Sequence, residues 1–123
     1  MLEELKMKNY NFNVRTDITR AMNAYNKTQS KVRFTTLDAA LLNLIRSFSE
    51  SKTEFYMSNK ELGQILIADP STVQRSVDKL VSTELIIKKV IYVDNRPKRV
   101  LAYQKENVSE LFGELLGELY GEL

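Results

Sequence analysis

The sequence contains neither cysteine nor histidine. Disulfide scaffolds, Cys/His zinc sites, haem ligation by His, and Cys- or His-based nucleophile systems are therefore excluded. Without disulfides to stabilise a secreted fold, a reducing cytoplasm is expected. Nowhere does a run of apolar residues approach the 18 or more needed for a membrane span. The opening Met-Leu-Glu-Glu-Leu carries two acids and lacks the apolar core of a secretion signal. No low-complexity linker interrupts the chain, and its two prolines stand singly. There is no Gly-rich phosphate loop. The carboxylates fall mostly on exposed helix faces, so no enzyme, metal site or cofactor is expected.

What remains is 123 residues, 43% of them hydrophobic, enough for one domain with one core. The net charge of +2 conceals an uneven distribution. Residues 106–123 hold five Glu and no Lys or Arg, so the first 105 carry all 18 basic residues against 11 of the 16 acids. Residues 71–105 alone count 8 basic against 3 acidic. Such asymmetry suits a polyanion-facing surface and a separate acidic tail, or simply a solvated charged face.

Local patterns predict the elements. Tyr10, Phe12 and Val14 alternate with polar residues, as in a short strand. Ile18, Met22 and Tyr25 have helical spacing, and Val32 and Phe34 fit a second strand or an extended entry. Thr35-x-x-Asp38 reads as an N-terminal cap, followed by Leu37, Leu41, Leu44 and Phe48 on one helical stripe. Phe55-Tyr56-Met57 reads as short and extended. Ser58-x-x-Glu61 is a capping box for a second helix bearing Leu62, Ile65 and Leu66. Asp69-Pro70 opens a third helix, with Asp as N-cap and Pro at the first position, and Val73, Val77, Leu80 and Val81 form its apolar stripe. Leu85 to Tyr92 reads as a strand, Asp94 to Arg99 as a loop of about six residues, and Val100 to Tyr103 as the returning strand. A last helix is expected from about Asn107.

Two features carry chemistry. Only Ile67-Ala68-Asp69 separates the second and third helices, the spacing of a helix-turn-helix. The polar face of the third helix shows Ser71, Thr72, Gln74, Arg75, Asp78 and Lys79. Short hydroxyls and a positive helix end suit phosphates, Gln suits adenine, and Arg suits guanine in a major groove. Downstream, Asn95, Arg96, Lys98 and Arg99 cluster three cations within four residues, which an anion such as a phosphate backbone or a minor groove would neutralise. A solvated turn is the plain alternative.

Residues 60–86 resemble the helix-turn-helix core of winged-helix DNA-binding proteins. The likeness is to MarR-type regulators and to winged-helix proteins of plasmids and phages that serve replication, partition or conjugative transfer. It rests on Glu61-Leu62, Asp69-Pro70-Ser71-Thr72-Val73, Arg75, Asp78-Lys79-Leu80 and Leu85-Ile86. Ile67 and Glu84 stand where the family usually has glycine, the residue that relaxes a backbone at positive φ. The resemblance implies a mainly helical α+β fold, a winged helix-turn-helix with a three-helix core and a β-hairpin wing, to which the apolar periodicity near the end of the sequence adds an extra C-terminal amphipathic helix. It covers a domain at 35–105, and the residue patterns set this between an N-terminal extension, 1–34, and a C-terminal dimerisation helix, 106–123. The resemblance further implies double-stranded DNA as partner, with residues 70–82 in the major groove and 94–99 as the wing. The expected role is that of a transcription regulator or a mobile-element accessory that recruits a replication, partition or transfer protein. The alternative is a winged helix that binds proteins instead.

The tail repeats every four residues: Ser-Glu-Leu-Phe, Gly-Glu-Leu-Leu, Gly-Glu-Leu-Tyr, Gly-Glu-Leu. Leu111, Phe112, Leu115, Leu116, Leu119 and Tyr120 build a broad apolar stripe, with Glu110, Glu114, Glu118 and Glu122 along the other side. Each glycine costs about 0.8–1.0 kcal/mol against alanine inside a helix. Three at regular spacing therefore suggest close approach of another backbone. A homodimer seam is expected here, the alternative being a helix folded back over the protomer's own core.

Overall fold

The computed structural model describes residues 17–28 and 31–120, with side chains described as far as Gly113. The expected strand at 9–15 lies outside the described residues. The elements run α1 (Asp17–Thr28), α2 (Thr36–Glu50), α3 (Asn59–Leu66), α4 (Pro70–Ser82), β1 (Ile86–Val93), β2 (Arg96–Tyr103) and α5 (Lys105–Tyr120). The result is a mainly helical α+β winged helix-turn-helix.

α2 is the central post. The Thr35 hydroxyl accepts from the Asp38 amide at 3.1 Å, and the Asp38 carboxylate accepts from the Thr35 amide at 2.8 Å, so both halves of the capping box form. Residues 41–48 are all buried, because α1, α4 and β2 surround the helix. A helix enclosed on all sides must satisfy polar groups as well as bury apolar ones. Arg46 does so by a two-pronged ion pair with Asp17 of α1, at 2.7 and 2.8 Å, and by donating to Asn43 at 2.8 Å. Burial works to lower the Arg46 pKa, but the Asp17 carboxylate outweighs it and the net shift is upward. Burial pushes the neighbouring Tyr103 phenol up, with Arg46 partly offsetting it.

The segment before α2 is an extended entry without strand pairing. The Asn26 side chain brackets Phe34 there, accepting from its amide at 2.9 Å and donating to its carbonyl at 2.7 Å. Phe34, Tyr25 and Phe112 meet edge to face, with ring centroids 5.3 to 5.9 Å apart. This contact corrects the dimer expectation for two residues. Phe112 is fully buried in its own protomer's core beside Val108, and Leu111 packs partly buried against that core. The first turns of α5 therefore cover α1 and the core. An apolar stripe near a chain end looks the same whether it covers its own protomer or another. Leu115, Leu116, Leu119 and Tyr120 lie on the helical backbone beyond, and their side chains are outside the described residues. Segments on both sides of 35–105 thus join one core.

The helix-turn-helix closes tightly. Ile67 adopts φ 55° and ψ 57° and is 93% exposed, while the Ala68 amide donates to the Gly63 carbonyl at 2.9 Å. A Cβ on Gly63 would sit 2.4 Å from the Ala68 carbonyl oxygen, so the close approach of the turn requires glycine at this place. Glu84, after α4, is also left-handed, at φ 63°. The fold keeps the geometry that glycine usually serves at both positions, and a side chain there costs about 1–2 kcal/mol.

The hairpin differs from expectation. Its turn is only Asp94-Asn95, with φ 52° and 63°, and pairing runs from Val93↔Arg96 to Ile86↔Tyr103. Positive φ at both central residues matches the twist of the flanking strands, and Asp and Asn tolerate it. The six-residue loop is therefore a two-residue turn, and Arg96 to Arg99 belong to β2. Along the other side of β2, the Leu101 amide donates to the Phe55 carbonyl at 2.9 Å. This ties the extended Phe55–Met57 segment to the wing.

Candidate nucleic-acid interface

α4 is held from behind by one buried acid. Asp38 is 1% exposed. Its carboxylate accepts from the Ser76 hydroxyl at 2.5 Å and from the Lys79 ammonium at 2.7 Å. Lys79 also donates to the Arg33 carbonyl at 2.9 Å. Lys79 is therefore a brace between α4 and the start of α2, not an outward cation as expected. The physical reason is that a buried carboxylate needs a counter-charge, and the lysine stem can reach it from one turn beyond Ser76.

The N-terminus of α4 is free of its expected cap. Asp69 stands at the N-cap position with extended backbone, but its carboxylate makes no capping bond and accepts from the Ser71 hydroxyl instead. Beyond it, Ser71, Arg75 and Asp78 are exposed, and Thr72 and Gln74 are half-buried. Arg75 donates to the Thr72 hydroxyl at 3.1 Å, which lays its guanidinium back along the outer face. Gln74 donates to Asp78 at 2.8 Å and accepts from Asn59 of α3 at 2.5 Å.

The wing sorts its cations by strand alternation. Arg96 and Lys98 point to one face and are exposed. Arg99 points to the opposite face, where its guanidinium donates to Asn59 Oδ1 at 2.8 Å and to the Met57 carbonyl at 2.9 Å. Burial lowers its pKa, partly offset by Asp78. Arg99 is thus a strut at the root of the wing, not part of the tip as expected. The tip keeps Asn95, Arg96 and Lys98. Lys88 and Lys89 of β1 add two exposed cations that the sequence reading assigned no role. Tyr92, 73% exposed, stands opposite Pro97.

The structure thus brings Ser71, Thr72, Gln74, Arg75 and Asp78 together on the outer face of α4. Sequence reasoning missed Asn59 and Asp38, whose partners lie 15 to 41 residues away. The capping boxes placed both residues at helix starts but gave no sign of those contacts.

No protein family matches this sequence, and neither does any curated protein. Solved structures do match its fold. One is described as a possible transcriptional regulator from Methanosarcina mazei Go1, 22% identical, covering 89% of this chain and 80% of its own, with a TM-score of 0.50. Another is RV1404 from Mycobacterium tuberculosis, 16% identical, covering 98% and 78%, with a TM-score of 0.51. At these identities the likeness concerns the fold. Among the described residues, no helix is long and apolar enough to cross a membrane.

Proposed function

We propose that this protein is a non-enzymatic, sequence-recognising double-stranded DNA-binding protein of the cytoplasm. α4 enters the major groove, and the Arg96 and Lys98 end of the hairpin grips the adjoining backbone or minor groove. The observation that carries the reading is the outer face of α4. It presents Ser71, Thr72, Gln74 and Arg75 beside an exposed cationic wing, on a helix whose other side is anchored to Asp38. Hydroxyls suit phosphates, and Gln and Arg suit base edges. The solved structure described as a possible transcriptional regulator supports the same reading through its fold.

The role is that of a transcription regulator or an origin, partition or transfer accessory of a mobile element. The apolar stripe of α5 beyond Gly113 pairs with a second copy, because two-fold symmetry doubles the groove contacts on a palindrome or repeat. A chain ending at Gly113 would then be monomeric by light scattering, and a dimer would contradict the seam.

Selection from random duplexes tests the function. An enriched site bound with a log–log salt slope near −5, as for about six phosphate contacts, is expected. No enrichment and no salt dependence would favour a protein-binding winged helix, to which the exposed Val90 and Tyr92 would then belong. Repeats at an origin would indicate the mobile-element role, and a promoter palindrome the regulatory one.

A further inference from the structure

Four side chains form a directional chain from the wing to α4. Arg99 donates to Asn59 Oδ1 at 2.8 Å, Asn59 Nδ2 donates to Gln74 Oε1 at 2.5 Å, and Gln74 Nε2 donates to Asp78 Oδ1 at 2.8 Å. The ends fix its polarity. A guanidinium can only donate and a carboxylate can only accept, so neither amide between them can flip without setting donor against donor or acceptor against acceptor. Gln74 is therefore held with its oxygen towards α3 and its nitrogen towards the C-terminal end of α4.

The lock leaves useful capacity. An amide oxygen has two lone pairs and an amide nitrogen two hydrogens, and the chain uses one of each. One acceptor and one donor remain, in fixed order. In a major groove, adenine offers the matching pair, an N6 hydrogen and the N7 acceptor. Guanine offers N7 and O6, both acceptors, so the locked oxygen would face O6. An unheld glutamine could turn its amide nitrogen alone towards guanine N7 or O6, and it would lose side-chain entropy on binding.

We propose that Gln74 reads an adenine through an amide whose orientation is set by Asn59 and Asp78, with Arg99 holding Asn59. This rests on the DNA-binding reading above. Asn59 and Arg99 act as positioning residues, through Gln74. The wing root and the base-reading helix are joined by the same bonds, so the wing also helps to set the specificity of α4.

The test uses the full chain and the duplex enriched from random sequence, with each of the four bases placed in turn at every position and affinities read by anisotropy. The wild type should prefer adenine about tenfold over guanine at one position, a factor typical of one good bidentate contact. Gln74→Ala should abolish that preference. Asn59→Ala and Asp78→Ala should each weaken it, and the double variant should bring it below about threefold while preferences elsewhere stay within about twofold. Adding either change to Gln74→Ala should alter nothing further at that position. A merely structural role would lower affinity at all positions alike.

Full adenine preference in the Asn59/Asp78 double variant would overturn the proposal, as would loss spread evenly over the site. Should Asn59→Ala melt early, Asp78→Ala, on an exposed side chain, decides the matter alone. Failure of the wild type to retain any duplex at low salt would sink the DNA-binding reading. Duplex binding without a Gln74-dependent adenine would sink only this inference.

Discussion

α4 and the outer half of the wing are both exposed and polar, yet they are held in opposite ways. α4 is tied on its inner side through Ser76 and Lys79 to Asp38, and on its flank through Gln74 to Asn59 and Arg99. The side chains of Arg96 and Lys98 make no hydrogen bond or ion pair with a described residue. A group that reads base edges must arrive in one orientation, whereas a group that neutralises phosphates needs only charge and reach. Under the proposed function, the long-range polar bonds fall to the first and the second is left to solvent, so that sequence preference and salt-dependent affinity would reside in different elements.

Breaking the inner brace should have the largest effect. Asp38→Ala removes one half of a capping box, leaves Ser76 without its acceptor and Lys79 with only the Arg33 carbonyl, and should lower stability by about 3 kcal/mol in denaturant titration. Arg96→Ala should stay within about 0.5 kcal/mol in the same experiment, as a surface change does. Equal losses would erase the contrast between the two regions.

On DNA the contrast should reappear. Arg75→Ala should cost about 1–3 kcal/mol on the enriched site and blur one base pair. Arg96→Ala and Lys98→Ala should weaken all duplexes alike and each reduce the salt slope by about 1. Arg99→Ala sharpens the division, because a strut should alter base preference more than salt slope. The smallest effect concerns the turn between α3 and α4. Ile67→Gly relieves a left-handed β-branched residue and should raise stability by about 0.5–1 kcal/mol in the same titration, with base preference unchanged.

What the sequence reveals and what it hides follow from range. Both capping boxes, the Asp-Pro start of α4 and the apolar stripes are local signals, and the structure places helices at each. The left-handed backbone at Ile67 and Glu84 is not legible in the residues themselves, since only the resemblance marks these two places as ones where glycine is usual. The hairpin reads as a longer loop in the sequence because Pro97 and its basic neighbours look like loop. Yet the reversal needs only Asp94 and Asn95, and a proline is admissible towards the end of an edge pairing. Lys79 and Arg99 look like free cations on any helical or strand projection. Their engagement depends on Asp38 and Asn59, about 40 residues away. Phe112 belongs to a regular stripe whose partner, the Tyr25 and Phe34 rings, is invisible until α1 folds beside it.

The most direct measurement is an anisotropy titration of the wild type and an Arg75/Arg96/Lys98 triple-alanine variant on one enriched duplex over a range of salt. The account predicts tight binding by the wild type that weakens steeply with salt. For the variant it predicts at least a hundredfold weaker binding at low salt, from about 3 kcal/mol or more lost, and a slope shallower by about 2. Equal affinities and equal slopes for the two proteins would contradict it.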